Sequence, residues 1–379
     1  MCYVDIIHNI SCLPVRNSYS YTTLGINMRL CKTFKAILII LLCLPISLSL
    51  AGCLKDRSAT EAGSASSFDF EALSEIKEGR PDIYLILKLI DSSYWQVIID
   101  GARDAAKELD CNLYMAGTAN ETDWEGQLAI LNSCMERGAD AIILSPDDSV
   151  KLSPKIEEIY AHGIPVVLID TAANTDSFDI CYMTDNLLAG QMAAREMIEE
   201  FKLMGVSEDE TTYVGIVVGT AASLTINERL AGFYQYWTNN APAKWVIVSD
   251  IMNCNGDMSR AEQMMTDTLK AYPKLRGLYG TNNGPSKAIA GFVSDRARTD
   301  IAVVGFDYSD EIQSVIKSGD YYASTMLQRQ YDMSYNGTIT AMELLNGGKT
   351  NAKFVDTGVV AVNKRTLTDP EVVSVVEHN

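Results

Sequence analysis

The chain has 379 residues, 47% of them hydrophobic, and carries Lys+Arg 31 against Asp+Glu 49 for a formal net charge of −18. That length suits two domains rather than one, and the apolar share allows substantial cores, which excludes wholesale disorder. Like-charge repulsion disfavours nucleic acid or an anionic membrane face as a partner, and 3 histidines leave little material for a His-rich metal centre.

In chain order, Arg29, Lys32 and Lys35 precede an apolar run over 36–50. The run is long for the core of a secretory signal, shorter than the roughly twenty residues of a membrane span, and interrupted by Pro45. Leu50-Ala51-Gly52-Cys53 follows and resembles the bacterial lipobox, with small residues before a cysteine that accepts a diacylglyceryl group. An ordinary secretory signal cleaved elsewhere is the alternative. Residues 1–52 are therefore set aside as a signal region, with Met28 a candidate start. Residues 53–80, rich in Ser, Ala, Gly and Glu, read as a lipidated cysteine and flexible tether, or as a tether with a short amphipathic helix near 68–76.

From residue 81 the pattern alternates. The run 83–90 is a continuous apolar strand candidate, and 94–109 then carries apolar residues at helical spacing. A strand over 112–117, a helix containing Leu128, Leu131 and Met135, the strand AIILSP, a helix over about 149–161 and a strand over 164–170 complete the first series. A second series begins after 184–186, with strands at 213–219, 245–251, 275–280 and 301–307 and helices near 187–204, 224–238, 258–272, 284–295 and 310–318. Strands apolar throughout, each followed by a helix, indicate a parallel sheet covered on both faces. The expected fold is α/β: two doubly wound parallel-sheet lobes joined by a three-segment hinge. The expected N-terminal lobe is 81–185 plus 329–358 and the C-terminal lobe 186–328 plus 359–379, with crossings near 185, 328 and 358. Cys111, Cys134, Cys181 and Cys254 are scattered, with no CxxC pair. They read as small buried hydrophobes, although one sequence cannot settle pairing.

Polar residues gather immediately after the apolar strands, where an open α/β sheet binds ligands. They fall at 88–95, 145–148, 170–171, 220–229, 282–283, 307 and 328. The set offers amides, carboxylates, hydroxyls and an aromatic pair but no obvious nucleophile and base. It suits a small polyhydroxyl compound, bound by planar polar groups and covered by aromatic faces.

The stretches DSSYWQVIIDGARDAAKEL, AIILSPDDS, GIPVVLIDT, TDNLLAGQMAA, INERLAGF, TNNGPSKAIAGF, VVGFD and ASTMLQ, in this order, resemble the type I periplasmic sugar-binding proteins of the ribose/galactose kind, solute receptors of ABC importers. The resemblance implies that Tyr94 and Trp95 stack on a sugar, that Asp170 takes its hydroxyls, and that Arg229, Asn282, Asp307 and Gln328 reach it from the second lobe. Core aromatics, a helix cap, a surface arginine and turn or cap residues are the plainer readings of these positions. Ser92 and Ser145 stand where a ribose binder carries Asn, Thr171 where it carries a second Arg, and Lys88 where a small hydroxyl residue is usual, so ribose itself is in doubt. Lys88 either snorkels to the surface or needs a counter-charge from Asp170, Asp307 or an acidic ligand.

These readings imply an extracytoplasmic, lipid-anchored binder that is not an enzyme. It would have no cofactor and no metal, and would close around its ligand and present it to an ABC transporter permease. The absence of a GxxxxGK[ST] loop argues against ATP hydrolysis by the chain itself. A receptor passing sugar occupancy to a histidine kinase or chemoreceptor is the alternative, and a furanosyl autoinducer a minor alternative ligand. A DNA-binding sugar repressor would need an N-terminal helix-turn-helix that residues 1–80 do not offer. A glycosidase built on Asp170, Asp307 and Glu228 is the enzymatic alternative.

Overall fold

The computed structural model describes residues 68–378; the signal region, Cys53 and most of the tether lie outside the described residues. The described chain forms two sheets, each flanked by helices. The first contains β1 (Glu71–Ala72), β2 (Asp82–Leu87), β3 (Asn112–Gly117), β4 (Ala141–Leu144), β5 (Val166–Ile169), β6 (Ile180–Met183) and β13 (Phe354–Asp356), in the order β1-β3-β2-β4-β5-β6-β13. The second contains β7 (Thr212–Val218), β8 (Trp245–Ile247), β10 (Leu275–Gly280), β11 (Ala302–Phe306), β12 (Ala323–Gln328) and β14 (Val359–Asn363), in the order β14-β12-β11-β10-β7-β8, with β9 (Met252–Asn253) also on β7. All pairs are parallel except the edge pairs β1·β3 and β12·β14. Both faces are covered, so the central strands are buried along their whole length, as their unbroken apolar sequences require.

Counted along the chain, both sheets have the doubly wound order 2-1-3-4-5. Each therefore has a topological switch point, between β2 and β4 in the first and between β7 and β10 in the second. The helices of the first layer are α1 (Ser93–Glu108), α2 (Trp124–Glu136) and α3 (Ser153–Ala161). Those of the second are α4 (Asn186–Leu203), α5 (Leu224–Asn240), α6 (Met258–Ala271), α7 (Asn283–Asp295) and α8 (Asp310–Ser318). After β12 the chain returns to the first layer: α9 (Gln330–Leu345) packs on α1 and against β4, β5 and β6. It then returns once more, and α10 (Pro370–Val376) packs on β14. The chain thus passes between the layers three times, at β6–α4, β12–α9 and β13–β14.

Several sequence expectations change in detail. The apolar run 83–90 stops being a strand at Leu87, and Leu89 and Ile90 pack against the core from the following loop. The run 245–251 is strand only in β8; Ser249 and Asp250 are exposed, and β9 begins just beyond the run at Met252. Neither a tether nor a helix occupies 68–76. Glu71 and Ala72 pair with Met115 and Tyr114, Leu73 is buried, and Phe70 packs edge-on against Tyr84. Cys111, Cys134, Cys181 and Cys254 are free and buried, and burial pushes the Cys134 thiol up to about 12.

Helices α4 and α5 approach at backbone distance. A Cβ on Gly190 would lie 2.1 Å from the Arg229 carbonyl oxygen, and one on Gly232 would lie 2.0 Å from that of Leu187. The obstacle is backbone on both sides, so it cannot swing away. Gly190→Ala is expected to cost about 1–3 kcal/mol or more of stability, as overpacking does, and to displace Arg229. Urea unfolding checks the cost; an unchanged midpoint refutes it.

Candidate functional site

A cavity lies between the two layers, at the carboxyl ends of both sets of parallel strands. From the first layer it is lined by Lys88 after β2, Tyr94 and Trp95 in the first turn of α1, Glu121 before α2, Asp147 after β4 and Asp170 after β5. From the second come Thr220 and Ser223 after β7, Thr225, Ile226 and Arg229 on α5, Asn282 and Asn283 after β10, Asp307 after β11 and Gln328 at the end of β12.

The first layer builds its wall around Asp170. One carboxylate oxygen accepts from the Tyr94 hydroxyl at 2.5 Å, and the other accepts from Lys88 Nζ at 2.9 Å, Ser145 Oγ at 3.0 Å and Thr171 Oγ1 at 2.7 Å. Lys88 also donates to Thr171 Oγ1 at 2.6 Å. The counter-charge that Lys88 needs is therefore Asp170, which excludes both snorkelling and the requirement for an acidic ligand. Burial alone would raise the Asp170 carboxyl, but the Lys88 charge and the donated hydrogen bonds outweigh it and hold it at about 2. Tyr94, fully buried beside that carboxylate, has its hydroxyl pushed well above the usual range. With four donors on two oxygens, Asp170 is saturated by the protein itself.

The second layer is built around Arg229. Its Nε donates to Asn186 Oδ1 at 2.9 Å, Nη1 to the Thr281 carbonyl at 2.8 Å and Nη2 to Gln328 Oε1 at 2.9 Å, while the guanidinium sits 4.0 Å above the Phe306 ring centroid. Gln328 in turn donates from Nε2 to Asp307 Oδ1 at 2.9 Å. Asn186 and Gln328 stand at two of the three passages between the layers, so the arginine is tied directly to the hinge.

Asp170 and Asp307 end equivalent strands, the fourth in each winding, and both adopt left-handed backbone, at φ 63° and φ 68°. Aspartate tolerates that region better than most residues, and such strain is typical of functional sites. Their environments nevertheless differ. Burial raises Asp307 to about 7 against the opposing pull of Arg229 and Gln328, with Asp170 and Glu121 pushing it further up. Burial likewise raises Asp147 to about 8, opposed by Lys88. Between the ordinary carboxylate range and pH 7 the folded chain therefore holds a proton on Asp307 that the unfolded chain has released, and stability falls as pH rises through this window. Asp307→Asn removes that penalty and fits the same backbone, so it is expected to stabilise the unliganded protein at pH 8, by at most about 4 kcal/mol, and to flatten the pH slope. Melting temperatures from pH 5 to 8 test this; a slope unchanged in the variant refutes it.

The layers touch across the cavity. Glu121 accepts from Trp95 Nε1 at 3.0 Å on its own side and from Asn282 Nδ2 at 3.4 Å on the other, and the Leu224 amide donates to Ser149 Oγ at 3.3 Å. Of the sequence candidates, Lys88, Tyr94, Trp95, Asp170, Arg229, Asn282, Asp307 and Gln328 line the cavity. Ser145 and Thr171 stand behind Asp170 and hold it instead of facing the space. Ser92 is the residue before α1, half-buried and outside the lining. Tyr94 and Trp95 are edge-on to each other at 84°, each anchored through its polar atom. Glu121 was not among the candidates, and Asp147 and Asn283 fell within the polar stretches 145–148 and 282–283 but were given no role of their own. Among the described residues no cluster of His, Cys, Asp and Glu suits a metal ion, and no helix is long and apolar enough to cross a membrane.

The sequence profile of the periplasmic binding protein domain matches residues 83–350. The chain is 26% identical over 269 residues to the D-apiose import binding protein of Actinobacillus succinogenes, covering 71% of this chain and 83% of that one. It is 25% identical over 300 residues to the D-ribose/D-allose-binding protein of Pseudomonas aeruginosa, covering 77% and 90%. Among solved structures, a carbohydrate transporter solute-binding protein from Agrobacterium radiobacter in complex with D-arabinose is similar, with TM-score 0.75, 29% identity and coverage of 79% and 100%. Two windings of identical strand order, three passages between them and a polar cavity at the shared strand ends agree with that profile: the chain belongs to the periplasmic binding protein domain family, in its type I form, a family of solute binders and not of enzymes.

Proposed function

We propose that this chain captures a small sugar outside the cytoplasmic membrane and presents it to the permease of an ABC importer. The observation that carries the reading is the cavity itself: carboxylates, amides and an arginine from two hinged layers converge with Tyr94 and Trp95 on one space. Planar donors and acceptors held in fixed geometry match a ring of hydroxyls, and closure of one layer on the other removes them from water. The names of the apiose, ribose/allose and arabinose relatives support a monosaccharide ligand and an import role. Lys88, Tyr94, Trp95, Asp307, Arg229, Asn282 and Gln328 are proposed as ligand contacts. Asp170, with Ser145 and Thr171, is proposed to hold the first-layer wall in place. Cys53 is proposed as the lipidated residue that keeps the protein at the membrane.

A thermal-shift screen of pentoses, hexoses and polyols tests the binding claim, because a ligand that binds only the folded state raises the melting temperature, by about 2.7 kcal/mol of stabilisation at a hundredfold excess over Kd. A flat response to the whole set refutes it. Replacing Cys53 by Ser and fractionating cells tests the anchor; unchanged membrane retention refutes that part alone.

A further inference from the structure

Several polar groups of the cavity are already engaged within the protein. Lys88 and Asp170 satisfy each other, and Arg229 is held by three acceptors. Asp147 is different. It is 2% exposed, and its Oδ1 has no hydrogen-bond partner among the described residues. Its Oδ2 has only Thr118 Oγ1 at 3.3 Å, and the Lys88 and Asn120 carbonyl oxygens compete for that hydroxyl's single proton. The Asp147 amide donates to Gln127 Oε1 at 2.8 Å, which fixes the backbone from which the carboxyl projects. On the second layer Asn283, 9% exposed, also has a buried Oδ1 without a partner among the described residues. Glu121, beside Asp147, adds a further carboxylate that accepts only one short hydrogen bond.

A buried acceptor without a donor costs about 1–3 kcal/mol, so these atoms favour whatever brings donors to them. Hydroxyls do so; a carboxylate does not, and it would add a negative charge near Glu121 and Asp147 in a poorly solvated space. We propose that Asp147 and Asn283 form an acceptor end of the cavity that contacts the ligand directly and restricts this protein to uncharged sugars, rejecting the uronic and aldonic acids of the same carbon skeleton. The inference rests on the sugar-binding reading above and adds the residues that set its charge selectivity. The charges acting on Asp147 support it: Lys88, which opposes its protonation, is already paired to Asp170, whereas Glu121 and Asp123 are both acidic.

The test is calorimetric titration at pH 9.5, well above the value of about 8 to which burial raises Asp147, so that the carboxyl is ionised. D-Arabinose is compared with D-arabinonate and D-galactose with D-galacturonate, against the wild-type protein, Asp147→Asn and Asn283→Ala. The wild type is expected to prefer the tighter-binding neutral sugar to its acid by at least a hundredfold. Asp147→Asn should compress that preference at least tenfold, and Asn283→Ala should weaken the neutral sugar about tenfold while leaving the melting temperature of the unliganded protein near wild type. A wild type that takes acid and neutral sugar equally, or variants that bind a neutral sugar with both preference and affinity unchanged, would overturn the inference and leave sugar binding intact. If neither these sugars nor any other in the thermal-shift set binds, the sugar reading itself falls, and the inference with it.

Discussion

Lys88→Met is expected to lower the unfolding free energy by about 3–5 kcal/mol, the usual penalty for stripping one partner from a buried ion pair. The Lys88 and Asp170 side chains are each 8% exposed and meet at 2.9 Å, at the end of the central strand of the first sheet. Methionine fills much of the space but leaves the Asp170 charge with only neutral donors. The sign of the pH response follows. With Lys88 present, Asp170 sits at about 2, below its ordinary 3.8, so its stabilising contribution is complete above that ordinary value and is lost as pH falls through about 2. Without Lys88, burial dominates and raises the same carboxyl, so the variant should lose stability as pH rises above 4, where the wild-type pair is indifferent. Asp170→Asn in the same chain should restore much of the loss, because the remaining group is then neutral. Urea unfolding at pH 5 and pH 8 distinguishes the cases; a loss below about 1 kcal/mol, or no rescue by the double variant, would mean that the pair is not closed in solution.

Arg229→Ala should weaken ligand binding by at least about a hundredfold, or roughly 2.7 kcal/mol. The substitution removes a cation 3% exposed and leaves the Asn186, Thr281 and Gln328 acceptors without their donor, so both the wall and its attachment to the hinge loosen. Arg229→Lys should recover little, since a single ammonium cannot replace a planar fork that spans three partners while lying flat on Phe306. Titration of the tightest sugar from the thermal-shift set, at a temperature where circular dichroism shows the variant folded, is the measurement. Full affinity in the lysine variant would reduce Arg229 to a point charge.

The strands were legible because burial on both faces leaves unbroken apolar runs, and the cavity was legible because polar residues such as Lys88, Asp170 and Asp307 interrupt or end those runs. The elements that escaped are those with weaker patterns. Strand β6 is four residues, β13 is three with Phe354 exposed, and the long helix α9 mixes Thr, Ser and Gln into its buried face. Glu121 escaped because it lies in a polar loop, NETDW, with nothing in its neighbours to separate it from an ordinary solvated turn. Only the meeting of that loop with Trp95 and Asn282 gives it a role. Ser145 and Thr171 illustrate the opposite case: their position was right, but sequence could not say that their hydroxyls would be consumed by Asp170. Ser92, two residues before the tyrosine, lies at the right helix end but outside the lining.

The attachment of Arg229 to Asn186 and Gln328 bears on how such a protein would be engineered as a fluorescent reporter. Two of the three connectors share a side chain with the binding wall, so retuning their resting angle would also alter affinity. The third connector, 356–359, supplies none of the acceptors that hold Arg229, and joins the other two at Asp185 and, by strand pairing, at Gln328. There Asp356 Oδ1 accepts from the Asp185 and Gly358 amides, and Gly358 adopts φ 91°. A designer seeking to shift the open–closed balance at constant chemical grip should work at that turn.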